Sequence, residues 1–196
     1  IAGMNAWLRR EFPSVEPYGG VKIIFSPLVG YNQSLLTLEE NGYRELQPHV
    51  NFPYNAPEGL SAEGAAIVRG RILFTELNHG FINPTADRYG GEIDAAIGSR
   101  APWADDAKPA RQYPNDYALF NEYMNWGLVS LYELEHLSEA DRAIARPAVE
   151  RAMVDRRGFV RFEAFNAFLL DIYANRLPGQ TLEALYPRII AWFVAE

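Results

Sequence analysis

Residues 71–84 read RILFTELNHGFINP, and the rest of the chain is organised around this stretch. The segment is typical of a helix. Glu76 and His79 lie three positions apart in it, so a helix would present both on one face. Asn83-Pro84 predicts the end of the helix, because proline disfavours helical geometry in the residue before it. A carboxylate and an imidazole are therefore expected side by side, one turn before a helix end.

This spacing matches part of a known metal-binding pattern. Zinc peptidases carry His-Glu-x-x-His on a helix, where the two histidines bind the metal and the glutamate acts as general base on the bound water. Glu76 and His79 take the places of the glutamate and the second histidine, and Thr75 stands where the first histidine would be. A hydroxyl is a poorer zinc ligand than an imidazole. The function therefore depends on whether another group compensates for Thr75.

Composition bounds the class of protein. The 196 residues are 48% hydrophobic and 13% aromatic, which suits a globular chain with a sizeable core. A net charge of −7 and the lack of any Lys/Arg block argue against nucleic acid as a partner. No apolar run approaches the roughly 20 residues of a membrane span, which predicts no membrane span. The sequence has no cysteine and hence no thiolate metal site.

The N-terminal part reads as strands. A short amphipathic helix over residues 1–12 precedes a predicted strand at 21–25, which 28–31 would continue past Pro27 as an edge strand. Residues 34–38 and 43–52 are two further strand candidates, and Glu39-Glu40-Asn41-Gly42 between them is a strong hairpin signal.

The remainder reads as helices. Ser61 is a plausible N-cap for a long helix from about 62 to about 82. The other predicted helices cover about 92–97, 115–137, a segment from Ser138 to about 158 bent or split at Pro147, 162–175, and a final one capped by Thr181. Strands followed by helices indicate an α+β fold. We expect a single domain over residues 1–196, strand-rich at about 15–60 and helical at about 61–196.

A third zinc ligand has one main candidate. Glu122 follows Asn121 in the middle of the helix predicted at 115–137, among residues that otherwise read as core, where an unpaired carboxylate is costly. It also suits the solvent face of that helix, and both interpretations stay open. Alternative ligands are His49, which a strand would carry, and the carboxylates that follow the motif helix, Asp87, Glu92 and Asp94. His136 lies at a helix end that favours a cation.

The order of these motifs resembles a known group of proteins. The hairpin, the Thr75-Glu76-Leu77-Asn78-His79 helix with Asn83-Pro84, and Asn121-Glu122 are similar to the zincin-like metallopeptidases whose third ligand is a glutamate. A family of uncharacterised bacterial proteins, mostly expected to be exported, is more similar still. Its helix reads H-E-x-x-H-x-x-x-N-P or T-E-x-x-H-x-x-x-N-P, and 26–31 resembles its upstream strand.

The resemblance implies a zincin-like fold with definite roles. Glu76 takes the general-base position, His79 and Glu122 take metal-ligand positions, and Thr75, Asn83 and Asn121 are accessory. It implies a zincin-like, metal-dependent hydrolase of the peptidase type, with a degenerate site and little activity. Zinc at low occupancy is the expected cofactor, and a peptide or protein is the expected substrate.

Two alternatives remain open at this point, together with the location. The fold could be a non-catalytic module that binds a peptide or a partner protein. Glu76 and His79 could also be a structural pair in a helical domain. Because the chain begins at Ile1 rather than Met, we expect an upstream piece, for which a removed signal peptide and a shortened sequence are the two candidates. A periplasmic or secreted location is expected, with the cytoplasm as the alternative.

Overall fold

The computed structural model describes residues 1–30, 32–51 and 53–195 and has a mixed α+β architecture. A small sheet lies in the N-terminal part, and a bundle of helices follows it, as the sequence predicts. The helices are α1 (Ala2–Glu11), α2 (Ala62–Arg69), α3 (Arg71–Ala86), α4 (Gly90–Ile97), α5 (Asp116–His136), α6 (Glu139–Arg151), α7 (Phe162–Ala174) and α8 (Leu182–Ala195). The strands are β1 (Gly20–Val21), β2 (Ile24–Phe25), β3 (Ser34–Glu40) and β4 (Tyr43–Val50).

The sheet is built around β4. The short strands β1 and β2 run parallel to it along one edge, and β3 runs antiparallel along the other. The predicted hairpin is confirmed: Glu40 pairs with Tyr43, and Asn41 and Gly42 between them have φ of 50° and 79°, as a tight two-residue turn requires. In the described part of the chain, nothing pairs with the other edge of β3.

Two predicted strands differ from the structure. The strand expected at 21–25 is divided into β1 and β2, and its continuation past Pro27 is wrong, because Pro27–Val29 forms a 3₁₀ turn. Ser26 starts this turn, since its hydroxyl accepts a hydrogen bond from the Leu28 N–H at 3.2 Å. The strand predictions that include residues 31 and 52 lie outside the described residues at those two positions.

The helix expected from about 62 to about 82 is two helices that meet at Gly70. A Cβ on Gly70 would lie 2.7 Å from the Met4 Cε, so the junction is where α1 packs closely against the chain. Ser61 caps α2 as predicted, accepting from the Gly64 N–H at 2.9 Å.

Pro84 lies inside α3, which corrects the prediction that it ends the helix. A proline has no N–H for the carbonyl four residues earlier, which here belongs to Gly80. The Tyr18 hydroxyl donates to that carbonyl at 2.6 Å and replaces the missing hydrogen bond. The helix therefore continues to Ala86.

The segment after α5 begins at Ser138 and ends near Gly158 as predicted, but it is not split at Pro147. Ser138 caps α6 as expected, but the helix runs through Pro147 without dividing there. It changes instead into a π-helical segment, Ala152–Arg157, which ends at Gly158 in the left-handed conformation with φ of 87°. A Cβ on Gly158 would lie 2.8 Å from the Lys108 Cβ, so the turn also needs a glycine for space.

Helices α3 and α5 form the centre of the molecule and run antiparallel. Arg71 at the start of α3 forms a buried ion pair with Glu133 near the end of α5, with Nε 2.6 Å from Oε1. Further along, Asn78 of α3 donates to the backbone carbonyl of Asn125 at 3.1 Å. Among the described residues, no helix is long and apolar enough to cross a membrane.

Candidate functional site

A cleft of about 890 Å³ lies over α3. Residues of β3 form one wall, and α5, the 3₁₀ turn Pro109–Gln112 and the π-helical segment form another. The three main residues predicted from the sequence, Glu76, His79 and Glu122, all line this cleft. The structure therefore brings these three residues together in one cleft.

Glu76 is the unusual ionisable group of the cleft. It is 8% exposed, and none of the hydrogen bonds or ion pairs in the described part of the chain involves its carboxyl group. Burial, reinforced by the negative charge of Glu122, raises the pKa of Glu76 to about 8, with Arg157 acting in the opposite direction. Glu76 is therefore largely protonated at neutral pH.

Both ring nitrogens of His79 are hydrogen-bonded to asparagines. Nδ1 lies 3.2 Å from Asn83 Oδ1, an oxygen that can only accept, so Nδ1 carries the proton. Nε2 lies 3.1 Å from the Asn125 side-chain nitrogen, which donates to it. Asn78 fixes this orientation, because its amide donates to Asn125 Oδ1 at 3.2 Å. The lone pair that would bind a metal is used by Asn125.

Glu122 is buried and paired with a cation of the protein. Arg157 Nη2 lies 2.5 Å from Glu122 Oε1, and the Trp126 indole donates to the same oxygen at 3.0 Å. The Arg157 guanidinium also donates to the Tyr113 hydroxyl at 2.6 Å and lies 5.2 Å from the centre of the Trp126 ring. The solvent-face interpretation of Glu122 is wrong, because its side chain is 4% exposed.

Two of the three accessory residues line the cleft, and the third does not. Thr75 lines the cleft, and its hydroxyl donates to the Ile72 carbonyl at 2.8 Å. Asn83 also lines the cleft and accepts from His79. Asn121 is buried but is not among the cleft residues, so the structure does not place it at the site.

Among the alternative ligands, only Asp87 reaches the cleft, where it accepts from the Tyr117 hydroxyl at 2.7 Å. His49 belongs to β4 and pairs with Ser34, and it is not among the cleft residues. Glu92 and Asp94 are exposed on α4, away from the cleft.

These donors can be compared with what zinc requires. A catalytic zinc site has three protein ligands and one open position. In the part of the chain that the structure describes, no group of three or more His, Asp and Glu side chains is arranged to hold a metal ion. His79 Nε2 accepts from Asn125, and Glu122 is neutralised by Arg157. In this arrangement the residues do not fit a catalytic zinc, and the low-occupancy zinc expected from the sequence stays a prediction.

The sequence predicts no role for three residues of the site. Asn125 lies three positions after Glu122, and helical spacing would have selected it in preference to Asn121. Arg157 and Tyr113 are distant from the motif helix in sequence, and no local pattern points to them.

Comparison of the chain with protein-family models, with curated proteins and with solved structures gave no match.

Proposed function

We propose that the cleft binds an extended peptide segment along the free edge of β3, and that the site holds this segment without cutting it by zinc chemistry. The observation that carries the proposal is the position of β3. Residues of β3, whose other edge is unpaired in the described chain, line the same cleft as Glu76, His79 and Glu122. An extended peptide can add to an exposed sheet edge through main-chain hydrogen bonds.

The register of the sheet determines which groups β3 offers. The carbonyls of Arg44, Leu46 and Val50 accept hydrogen bonds from the β1–β2 side of the sheet. The residues that alternate with them on β4 therefore face β3 and pair with Ser34, Leu36, Leu38 and Glu40. The N–H and C=O groups of Leu35, Thr37 and Glu39 are thus directed to the free edge.

The side chains support the same interpretation. Leu35, Thr37 and Glu39 line the cleft, whereas Leu36 and Leu38 are exposed on the other face of the sheet. A bound peptide would meet one apolar side chain, Leu35, and two polar ones, Thr37 and Glu39, and the protonated carboxyl group of Glu76 can donate a hydrogen bond to one of its carbonyls.

Thr37→Pro tests the proposal. It removes an N–H that points to the free edge, and proline is tolerated in an edge strand. We expect binding of fluorescent, β-branched peptides of the length of β3, 7 residues, to weaken about tenfold or more. Fluorescence anisotropy measures this. Thr37→Val, which keeps the N–H, is the matched control and should bind as the wild type does. Equal binding by both variants would contradict the proposal.

Hydrolysis is the second candidate function, and the state of Glu76 favours it. A carboxyl group with a pKa of about 8 and no hydrogen-bond partner in the described chain is suited to proton transfer near neutral pH. Mass spectrometry of the same peptides, incubated with and without added zinc, tests this. Chelator-sensitive cleavage that Glu76→Gln abolishes would replace non-catalytic binding by a peptidase function.

Thr75→His tests the zinc position. It places an imidazole four residues before His79, the spacing of the two zinc histidines. We expect zinc affinity, measured by calorimetry, to rise by more than the roughly 10–100-fold that changes in outer-shell partners cause. Thr37→His adds an imidazole to the same cleft without that spacing and is the control. Equal zinc binding by wild type and Thr75→His would show that position 75 is not a ligand position.

A further inference from the structure

Arg156 is a cleft residue that neither the fold nor the network around His79 uses. It is the penultimate residue of the π-helical segment and is exposed at the cleft. Its neighbour Arg157 pairs with Glu122, whereas the described residues offer Arg156 no hydrogen bond or ion pair. Short π-helical segments occur frequently at functional sites.

The other charged side chains of the cleft, apart from Asp87, are balanced by a partner or by protonation. Arg44 pairs with Glu39, and Arg157 pairs with Glu122. Glu76 is largely protonated at neutral pH, and Asp87 accepts from Tyr117. Of the three arginines that line the cleft in the described structure, Arg156 alone is available to an incoming anion.

The backbone that carries Arg156 is held firmly. Arg157 is fixed by Glu122 and Tyr113 on one side of it. The following Gly158 accepts from the Asp105 N–H at 2.8 Å, and the Phe159 N–H donates to the Met153 carbonyl at 3.0 Å. Because the backbone beneath Arg156 is fixed, binding has to order only the arginine side chain and not the segment that carries it.

We propose that Arg156 selects peptides that carry a carboxylate, and that it binds this carboxylate at the wall of the cleft formed by the π-helical segment. The inference rests on the proposed peptide binding and names the substrate class of that site. A guanidinium binds a carboxylate through paired charge-assisted hydrogen bonds. The carboxylate can come from an Asp or Glu side chain or from the peptide C-terminus.

Paired peptides test the inference. The probes are fluorescent, β-branched peptides of the length of β3, with Glu or Gln at one position and with a free or an amidated C-terminus. The chain carries a net charge of −7, which repels every acidic peptide, so each peptide is compared between protein variants rather than with another peptide. The dependence on Glu or on the free terminus identifies the source of the carboxylate.

We expect Arg156→Ala to weaken binding of the carboxylate peptide about three- to tenfold and to leave the Gln, amidated peptide unchanged. Arg156→Glu should bind a peptide that has Lys at the varied position more tightly than the peptide that has Glu there. Arg151→Ala is the matched control, because Arg151 is an exposed arginine of α6 that does not line the cleft. Raised salt should reduce the difference between wild type and Arg156→Ala.

The possible results distinguish a failure of the role of Arg156 from a failure of the proposed peptide binding. Equal binding of the carboxylate peptide by wild type and Arg156→Ala, with peptide binding intact, overturns the role of Arg156 and leaves peptide binding standing. An equal loss in Arg151→Ala also overturns that role, because it shows a general charge effect. Absence of binding of every peptide to the wild type overturns the proposed function, and the inference with it.

Discussion

Glu76→Gln is expected to stabilise the protein by about 2–4 kcal/mol at about pH 9 and to leave its stability almost unchanged at about pH 4. Burial raises the pKa of Glu76 from 4.5 to about 8 in the folded protein. Below the lower of these two pKa values the carboxyl group is neutral in both the folded and the unfolded protein, so its burial does not lower stability. Between the two values the unfolded chain ionises while the folded protein holds its proton, so stability falls as the pH rises.

The size of this effect follows from the shift. Each pKa unit corresponds to about 1.4 kcal/mol, so the complete shift sets an upper limit of about 5 kcal/mol, which water in the cleft reduces. Above about pH 8 the wild type has lost the whole of this contribution to its stability. The glutamine of the variant has no charge to desolvate, so the variant does not lose it.

Urea unfolding at both pH values measures the free energy of unfolding of the variant and of the wild type. The contributions of the other ionisable groups cancel in the difference between the two proteins. Glu40→Gln removes an exposed carboxylate from β3 and is the matched control, with little expected effect at either pH. A Glu76→Gln difference that is the same at both pH values would show that Glu76 has an ordinary environment.

Arg157→Met is expected to destabilise the protein by about 3–5 kcal/mol. The substitution removes the cation that pairs with Glu122, and the carboxylate is then left buried without a compensating charge, although the Trp126 indole still donates to it. Adding Glu122→Gln should restore most of the loss, because the double variant buries no uncompensated charge.

Chemical unfolding of the two single variants and the double variant forms the cycle that measures this coupling. Arg151→Met, at an exposed arginine of α6, should change stability by less than about 0.5 kcal/mol. If the double variant is as unstable as Arg157→Met, the loss comes from packing of the arginine side chain rather than from its charge.

The parts of the fold that could be predicted depend on local signals. The β3–β4 hairpin follows from Asn41 and Gly42, which adopt positive φ at little cost, and from the strand-forming residues around them. The starts of α2 and α6 follow from Ser61 and Ser138, whose hydroxyls accept from backbone N–H groups of their own helices.

The errors arise where a distant residue changes the local preference. Pro84 should end a helix, but the Tyr18 hydroxyl satisfies the carbonyl that the proline leaves free. The break at Gly70 depends on the close approach of Met4. Neither partner can be recognised from the sequence around the affected residue.

The candidate site shows the same division. Glu76, His79 and Glu122 could be selected because helical spacing and an unexpected carboxylate among core residues are visible in the sequence. The partners that decide their chemistry could not, since Arg157 arrives from a π-helical segment that no pattern predicts. The sequence therefore identifies these three cleft residues, and the structure shows that Glu122 is neutralised by an arginine and that His79 is held by asparagines.

Amide hydrogen exchange of β3, followed by NMR with and without a saturating peptide, is the direct test of peptide binding along the free edge. We expect the amides of Leu35, Thr37 and Glu39, which point to the free edge, to exchange markedly more slowly when the peptide binds. The amides of Leu36 and Leu38 already bond to β4 and should change little. Unchanged exchange at Leu35, Thr37 and Glu39 under saturating peptide would contradict binding along β3.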